Sequence, residues 1–224
     1  GEWIVRQHES TDTAVLTPAP TVHDAIAERI ECLPDELSAV LISIAVSARG
    51  CRADVLSHVH GISRLRAAAA GDALVERHLA VEDDGMYRCA HPVIARVVSD
   101  ALGNARRREV HRGLALALEV SANGAVSDPG EVARHAEQGG ERAMAYRYAM
   151  VAAAECEAQF AYAEALGWLD MAAASSGSLA ETDAVNAITA RLLDAAGRHD
   201  TPRLQRQPAR GGLAASDFDL PARV

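Results

Sequence analysis

Histidine and arginine carry most of the chemistry this chain has to offer. All 22 of its basic residues are arginine and lysine is absent from its 224 residues. That removes a phosphate-loop lysine, a Schiff-base lysine and a kinase-type lysine together. His91 precedes Pro92 at the start of a helical pattern. An imidazole ahead of free helix-terminal amides suits a phosphate, and it equally suits helix capping or packing. Arg106, Arg107, Arg108 and Arg112 form the densest basic cluster. Guanidinium forks match phosphates and carboxylates, so the cluster is a candidate partner-binding patch for nucleic acid or an acidic protein. It opens a helix, where positive charge opposes the dipole, and a solvated face bridging to nearby acids is the ordinary alternative. His58 and His60 point about 200° apart on a helix and do not readily share a metal. No Ser/His/Asp ordering, acid pair, glycine elbow or GxxxxGK[ST] motif stands out, so the sequence suggests neither a catalytic residue nor a metal site.

The four cysteines, Cys32, Cys51, Cys89 and Cys156, include no CxxC pair and read as separate, reduced, buried thiols in a cytoplasmic protein. A net charge of −9 argues against bulk affinity for nucleic acid, whose binding rests on phosphate neutralisation. With 49% hydrophobic and 24% charged residues the chain is an ordinary globular sequence. No run approaches the apolar length of a membrane helix and no signal-peptide pattern opens the chain. About a fifth of the residues are alanine, which biases the whole toward helix.

Residues 1–21 end in Thr17-Pro18-Ala19-Pro20 and are expected to be a linker or the remnant of an upstream module. Helical signals begin at Val22. Pro34-Asp35-Glu36 opens a second helix with the stripe Leu37, Val40, Leu41, Ile44 and Ala45. A third helix carries Val55, Leu56 and Val59 and stops at Gly61. Ser63 caps a fourth, which runs to Leu79. Asp83-Asp84-Gly85 then separates two short strands, Leu79–Glu82 and Met86–Cys89, as a hairpin. His91-Pro92 starts another helix with Val93, Ile94, Val97, Val98 and Leu102 on its face. Four helices, a β-hairpin and a helix outline a winged-helix domain over residues 22–103, with one added leading helix. Residues 104–198 read as helices throughout, with a capping signal at Asp128-Pro129-Gly130-Glu131. Short loops between them suggest antiparallel hairpins stacked as the start of an α-solenoid arm. From 199 to 224 the apolar stripe gives way to Pro, Gly, Gln and Arg, and a disordered tail is expected. The fold class is therefore mainly α, a winged helix followed by helical hairpins.

Several segments in this order resemble a known family. Leu33-Pro34-Asp35-Glu36-Leu37, Asp83 through His91 and Ala105 through Ala115 look like the region after the ATPase core in STAND-type signalling ATPases, closest to bacterial large LuxR-type regulators. Phe160 through Leu169 is similar to the first helix of a tetratricopeptide repeat, and the likeness spans about residues 22 to 175. The resemblance implies that His91 occupies the place of a histidine that contacts the β-phosphate of ADP and holds the resting state closed. Pro92 stands where many members have aspartate.

The resemblance further implies a non-catalytic regulatory region that relays nucleotide state to a partner-binding helical arm. Its partners would be an upstream ATPase module and a protein, with an oligomer left open. No cofactor is expected in this chain, and ADP or ATP would enter only through that upstream module. A wing tip of Glu82-Asp83-Asp84, and a would-be recognition helix mixing Arg64, Arg66 and Arg77 with Asp72 and Glu76, argue against DNA binding. The alternatives are a free-standing winged-helix DNA-binding transcription factor with a helical dimerisation arm, or a degenerate or truncated gene product with no independent function.

Overall fold

The computed structural model describes residues 21–121, 126 and 128–205, with side chains described as far as residue 197. These residues form ten helices and a small three-stranded sheet, so the expected mainly-α class holds. The chain divides into two compact units at Ala117/Leu118.

The first unit opens with α1 (Val22–Glu31), whose cap is reciprocal: Asp24 N–H donates to Thr21 Oγ1 and Thr21 N–H donates to the Asp24 carboxylate. Next comes α2 (Asp35–Val46), the most apolar element here, which buries Val40, Leu41, Ile42, Ser43 and Ile44. Pro34 is its N-cap residue and lies just outside the first turn expected for it. A two-residue strand, β1 (Cys51–Arg52), follows and leads directly into α3 (Ala53–His60). As expected, α3 ends at Gly61 in the left-handed region, φ 62°. Ser63 then caps α4 (Arg64–Glu76) by accepting from Arg66 N–H at 3.2 Å.

The hairpin pairs β2 (Ala80–Asp83) with β3 (Met86–Cys89). Asp84 and Gly85, both at positive φ (51° and 74°), make its turn, as the Asp-Gly signal predicts. β1 pairs antiparallel with the far side of β3, giving the order β1-β3-β2. Tyr87 fastens this sheet to α4. Its ring fills the space above Gly71, where a Cβ would come within 2.5 Å of Cε1. Its hydroxyl donates to Asp72 Oδ1 at 2.8 Å, and burial with that carboxylate pushes the phenol up to about 12. α5 (Pro92–Ala101) returns to pack on α2 and buries Ile94, Val97 and Val98. α6 (Asn104–Ser121) runs across the division between the units.

The second unit holds α7 (Pro129–Gly139), α8 (Arg142–Ala158), α9 (Tyr162–Ser175) and α10 (Leu179–Gln205). The expected cap of α7 is present: Asp128 Oδ1 accepts from Glu131 N–H at 3.0 Å, with Pro129 in the first turn. α8 packs on both α7 and α9, and α10 packs on α9. Their seams are made of small side chains, Ala133, Ala149, Ala153, Ala165 and Ala172, closed by Leu169, Val185 and Leu192. Small residues let the helix axes approach closely, and Tyr146, Tyr148, Tyr162 and Trp168 pack against this cluster half-buried.

Three expectations shift. β1 adds a strand that the hairpin reading lacks. α10 continues to Gln205, past the point where the apolar stripe ends. Cys32 is exposed, whereas Cys51 is buried and Cys89 and Cys156 lie between; all four are free thiols. Residues 1–20 of the expected linker, and the tail from 206 onward, lie outside the described residues.

Candidate functional site

His91 stands at the N-terminus of α5, exposed and in extended backbone, φ −149°. Its Nδ1 accepts the Val93 N–H at 3.1 Å, so the imidazole caps the helix. Ser, Thr, Asp and Asn usually make this bond, and the histidine ring supplies the same acceptor two residues ahead of the donor. Pro92, which has no N–H to satisfy, occupies N1 and leaves Val93 as an early amide needing a partner. The capping alternative to phosphate contact is thus present as a hydrogen bond.

The arginine cluster does not act as one patch. Arg107 is half-buried, and its Nη2 donates to the Ser99 carbonyl at 2.5 Å and the Leu102 carbonyl at 3.3 Å. Those oxygens belong to the last turn of α5, where a cation complements the dipole. Arg106, Arg108 and Arg112 are exposed along α6. Three of the four candidates therefore remain on the surface and one is a C-terminal cap for its neighbouring helix.

His58 and His60 go separate ways. His58 Nδ1 donates to the Asp54 carbonyl one turn back, at 2.8 Å. His60 Nε2 lies 3.1 Å from Ser43 Oγ, and Ser43 is fully buried inside α2. Burial holds the His60 imidazole below its ordinary value, with Glu36 pulling weakly the other way. A serine bonded to a histidine has the atoms of a nucleophile–base pair, but no surface of this serine is open to a substrate. Its work is to tie α2 to α3. Spacing alone gave no signal for it, because the partners lie on different helices and meet only once these pack. Among the described residues no three His, Cys, Asp or Glu side chains gather in a metal-binding arrangement, and no helix is long and apolar enough to cross a membrane.

The hairpin and α4 present the surface that a nucleic-acid reader would use. Glu82, Asp83, Asp84 and Gly85 are all exposed, with Arg88 Nη1 tied to Asp83 at 3.1 Å. On α4, Arg66 is clamped in a two-pronged bond to Glu36, at 2.6 and 2.7 Å. Asp72 and Glu76 are exposed, and Leu65 is 82% exposed. The tip is acidic and the α4 face mixed, with Arg64 and Leu65 exposed at its N-terminal end.

In the second unit Trp168 lies over Gly130, where a Cβ would come within 2.5 Å of Cζ2, and the Arg134 guanidinium sits 5.2 Å from the ring centroid. This latch between α7 and α9 has no counterpart in the sequence reading, since glycine beside a helix cap looks like turn chemistry. Phe160, 71% exposed and at φ 60°, marks the turn between α8 and α9 with Tyr162 edge-on at 6.3 Å.

Comparison of the chain with protein-family models, with curated proteins and with solved structures returns no match.

Proposed function

We propose that residues 22–103 are a winged-helix domain and residues 104–198 the beginning of a tetratricopeptide-like arm. Together they would be the non-catalytic regulatory region of a STAND-like bacterial transcriptional regulator. Its work is to take up the nucleotide state of an upstream ATPase module and pass it to a protein partner held on the arm. No cofactor belongs to the chain itself; ADP or ATP resides in the upstream module. One observation supports this reading above the others. The succession α2-β1-α3-α4-β2-β3 with strand order β1-β3-β2 is the connectivity a winged helix requires. Its tip carries acids, and its α4 face mixes Arg64 and the Glu36-bound Arg66 with Asp72 and Glu76, where a DNA reader needs cations. The antiparallel run α7, α8, α9, with alanine seams, supports the arm.

The mechanism is a two-state interface whose balance differs between ADP and ATP by a few kcal/mol. His91 is the residue through which the closed state would sense phosphate. The test uses the full open reading frame that encodes this chain. The product as purified should retain ADP, and His91→Ser, which keeps a capping oxygen, should lose it. Absence of retained nucleotide, or retention unchanged in that variant, rejects the sensing role.

A further inference from the structure

A cleft of about 500 Å³ opens in the first unit where the C-terminal ends of α1 and α4 come beside the start of β2. That volume suits a small organic ligand. Its floor is apolar, with Leu79 buried and Leu33 half-buried. Arg29 and Arg77 line its rim. Arg29 Nη2 donates to the Arg77 carbonyl at 2.5 Å, and Arg77 Nη1 donates to the Ala73 carbonyl at 2.9 Å. Each guanidinium thus gives a donor to backbone oxygen near a helix end, where the dipole draws cations. Neither sits in a carboxylate fork, unlike Arg66 and Arg191. Most of their N–H groups remain available to a ligand. Glu28 is the carboxylate of the lining and His78 adds a further nitrogen donor, so cationic donors outnumber acids around an apolar floor.

We propose that this cleft binds a small amphiphilic anion. Its oxyanion head, carboxylate or phosphate, is held by Arg29 and Arg77, and its short apolar body lies over Leu33 and Leu79. Such a site stands apart from His91 and from the nucleotide reading above. An apolar body alone would leave the guanidiniums unused, and a bare anion would leave the leucine floor in water. The combination selects a ligand having both parts.

Cys32 lines the same cleft and is exposed, which makes its thiol a reporter of occupancy. Iodoacetamide alkylation of the full chain is followed by peptide mass spectrometry with octyl phosphate, octanoate, octylammonium, n-octanol or inorganic phosphate present. Octyl phosphate or octanoate should slow Cys32 labelling saturably, by about tenfold at ten times its dissociation constant, as single-site occupancy requires. Labelling of Cys89 and Cys156 should not change, and the better of the two probes identifies the head group. Octylammonium and n-octanol should leave Cys32 unprotected. The Arg29→Gln/Arg77→Gln double variant, with its helix content checked by circular dichroism, should lose the protection. Equal protection by octylammonium, or by inorganic phosphate without its chain, overturns the proposal, as does no protection by either amphiphilic anion. Those comparisons need no variant, so they stand even if the double substitution unfolds the chain.

Discussion

A histidine that caps a helix and a histidine that senses phosphate can occupy one position, and substitutions separate the two roles. Nδ1 of His91 satisfies the Val93 amide. Removing it in His91→Ala should lower stability by about 1 kcal/mol, the usual cost of a lost N-cap, read as a lower urea midpoint of this chain. His91→Ser should recover most of that loss, because its hydroxyl accepts from the same amide. If alanine costs nothing, the cap is energetically idle and the role of the ring lies elsewhere. One half-buried and one buried imidazole make a second prediction. His60 and His111 are both held below the ordinary value of 6.5, each chiefly by burial, with Arg107 adding to the effect at His111. As pH falls through that value the unfolded chain takes up protons that the folded chain resists, so the unfolded state gains. Stability should therefore be flat above about pH 7 and fall as the pH drops toward about 5. Carboxylates held low, Asp24 and Glu36, add their losses only below the usual carboxylate range. Urea midpoints measured across this interval check the sign, and His60→Gln should flatten part of the slope. A midpoint that rises on acidification would contradict the shielding of both rings from water.

Among the elements, the join between α4 and the sheet is the most sharply specified contact. Gly71 has no space for a methyl group, since Tyr87 Cε1 and Cζ would lie 2.5 and 2.6 Å away. Gly71→Ala gains helix propensity of about 1 kcal/mol but must displace a buried ring, and overpacking costs roughly 1–3 kcal/mol. A net loss is expected, and it should vanish when Tyr87→Leu removes the ring, giving a strongly non-additive double-mutant cycle by denaturant unfolding. Additive effects would mean that the ring moves aside freely. These contacts also mark where sequence reading stops. Ser63, Gly61, Asp128 and the Asp84-Gly85 turn announce themselves because a cap or turn is local chemistry within four residues. β1 does not, since two residues have no period and Cys51–Arg52 is a strand only because Tyr87 and Met86 lie opposite. The Ser43–His60 bond, the Trp168 latch on Gly130 and the Arg107 cap on α5 are silent for the same reason: each joins elements whose approach is set by packing. The candidate site was half legible. The helix start at His91 was readable from His-Pro, but the division of the arginines between a carbonyl cap and an open helix face was not.

For the molecule as a whole, charge decides what it can meet. The net charge is −9, and several arginines that might offset it locally are engaged. Arg66 is clamped by Glu36, Arg88 by Asp83 and the Arg49 carbonyl, Arg52 lies 3.4 Å from Asp54, and Arg107 serves the end of α5. Freeing any of them for a DNA phosphate would first break an existing bond, so counterion release gains little. The hairpin tip offers Glu82, Asp83 and Asp84 at the place where a wing would meet the backbone of a duplex, and repulsion there grows as salt is removed. Exposed Arg64 on α4 and exposed Arg106 and Arg108 on α6 are cations that could oppose this. Three such contacts give a salt slope of only about −3, against the −5 to −9 of a protein touching six to ten phosphates. Duplex DNA labelled for fluorescence anisotropy should therefore bind no tighter than about 10⁻⁵ M at physiological salt, without sequence preference and with that shallow slope. Arg106→Gln/Arg108→Gln should flatten the slope further while leaving thermal stability unchanged, because both side chains are solvated. Sub-micromolar binding at physiological salt, with a steep slope, would instead favour a free-standing DNA-binding regulator and would require the acidic hairpin to face away from the duplex.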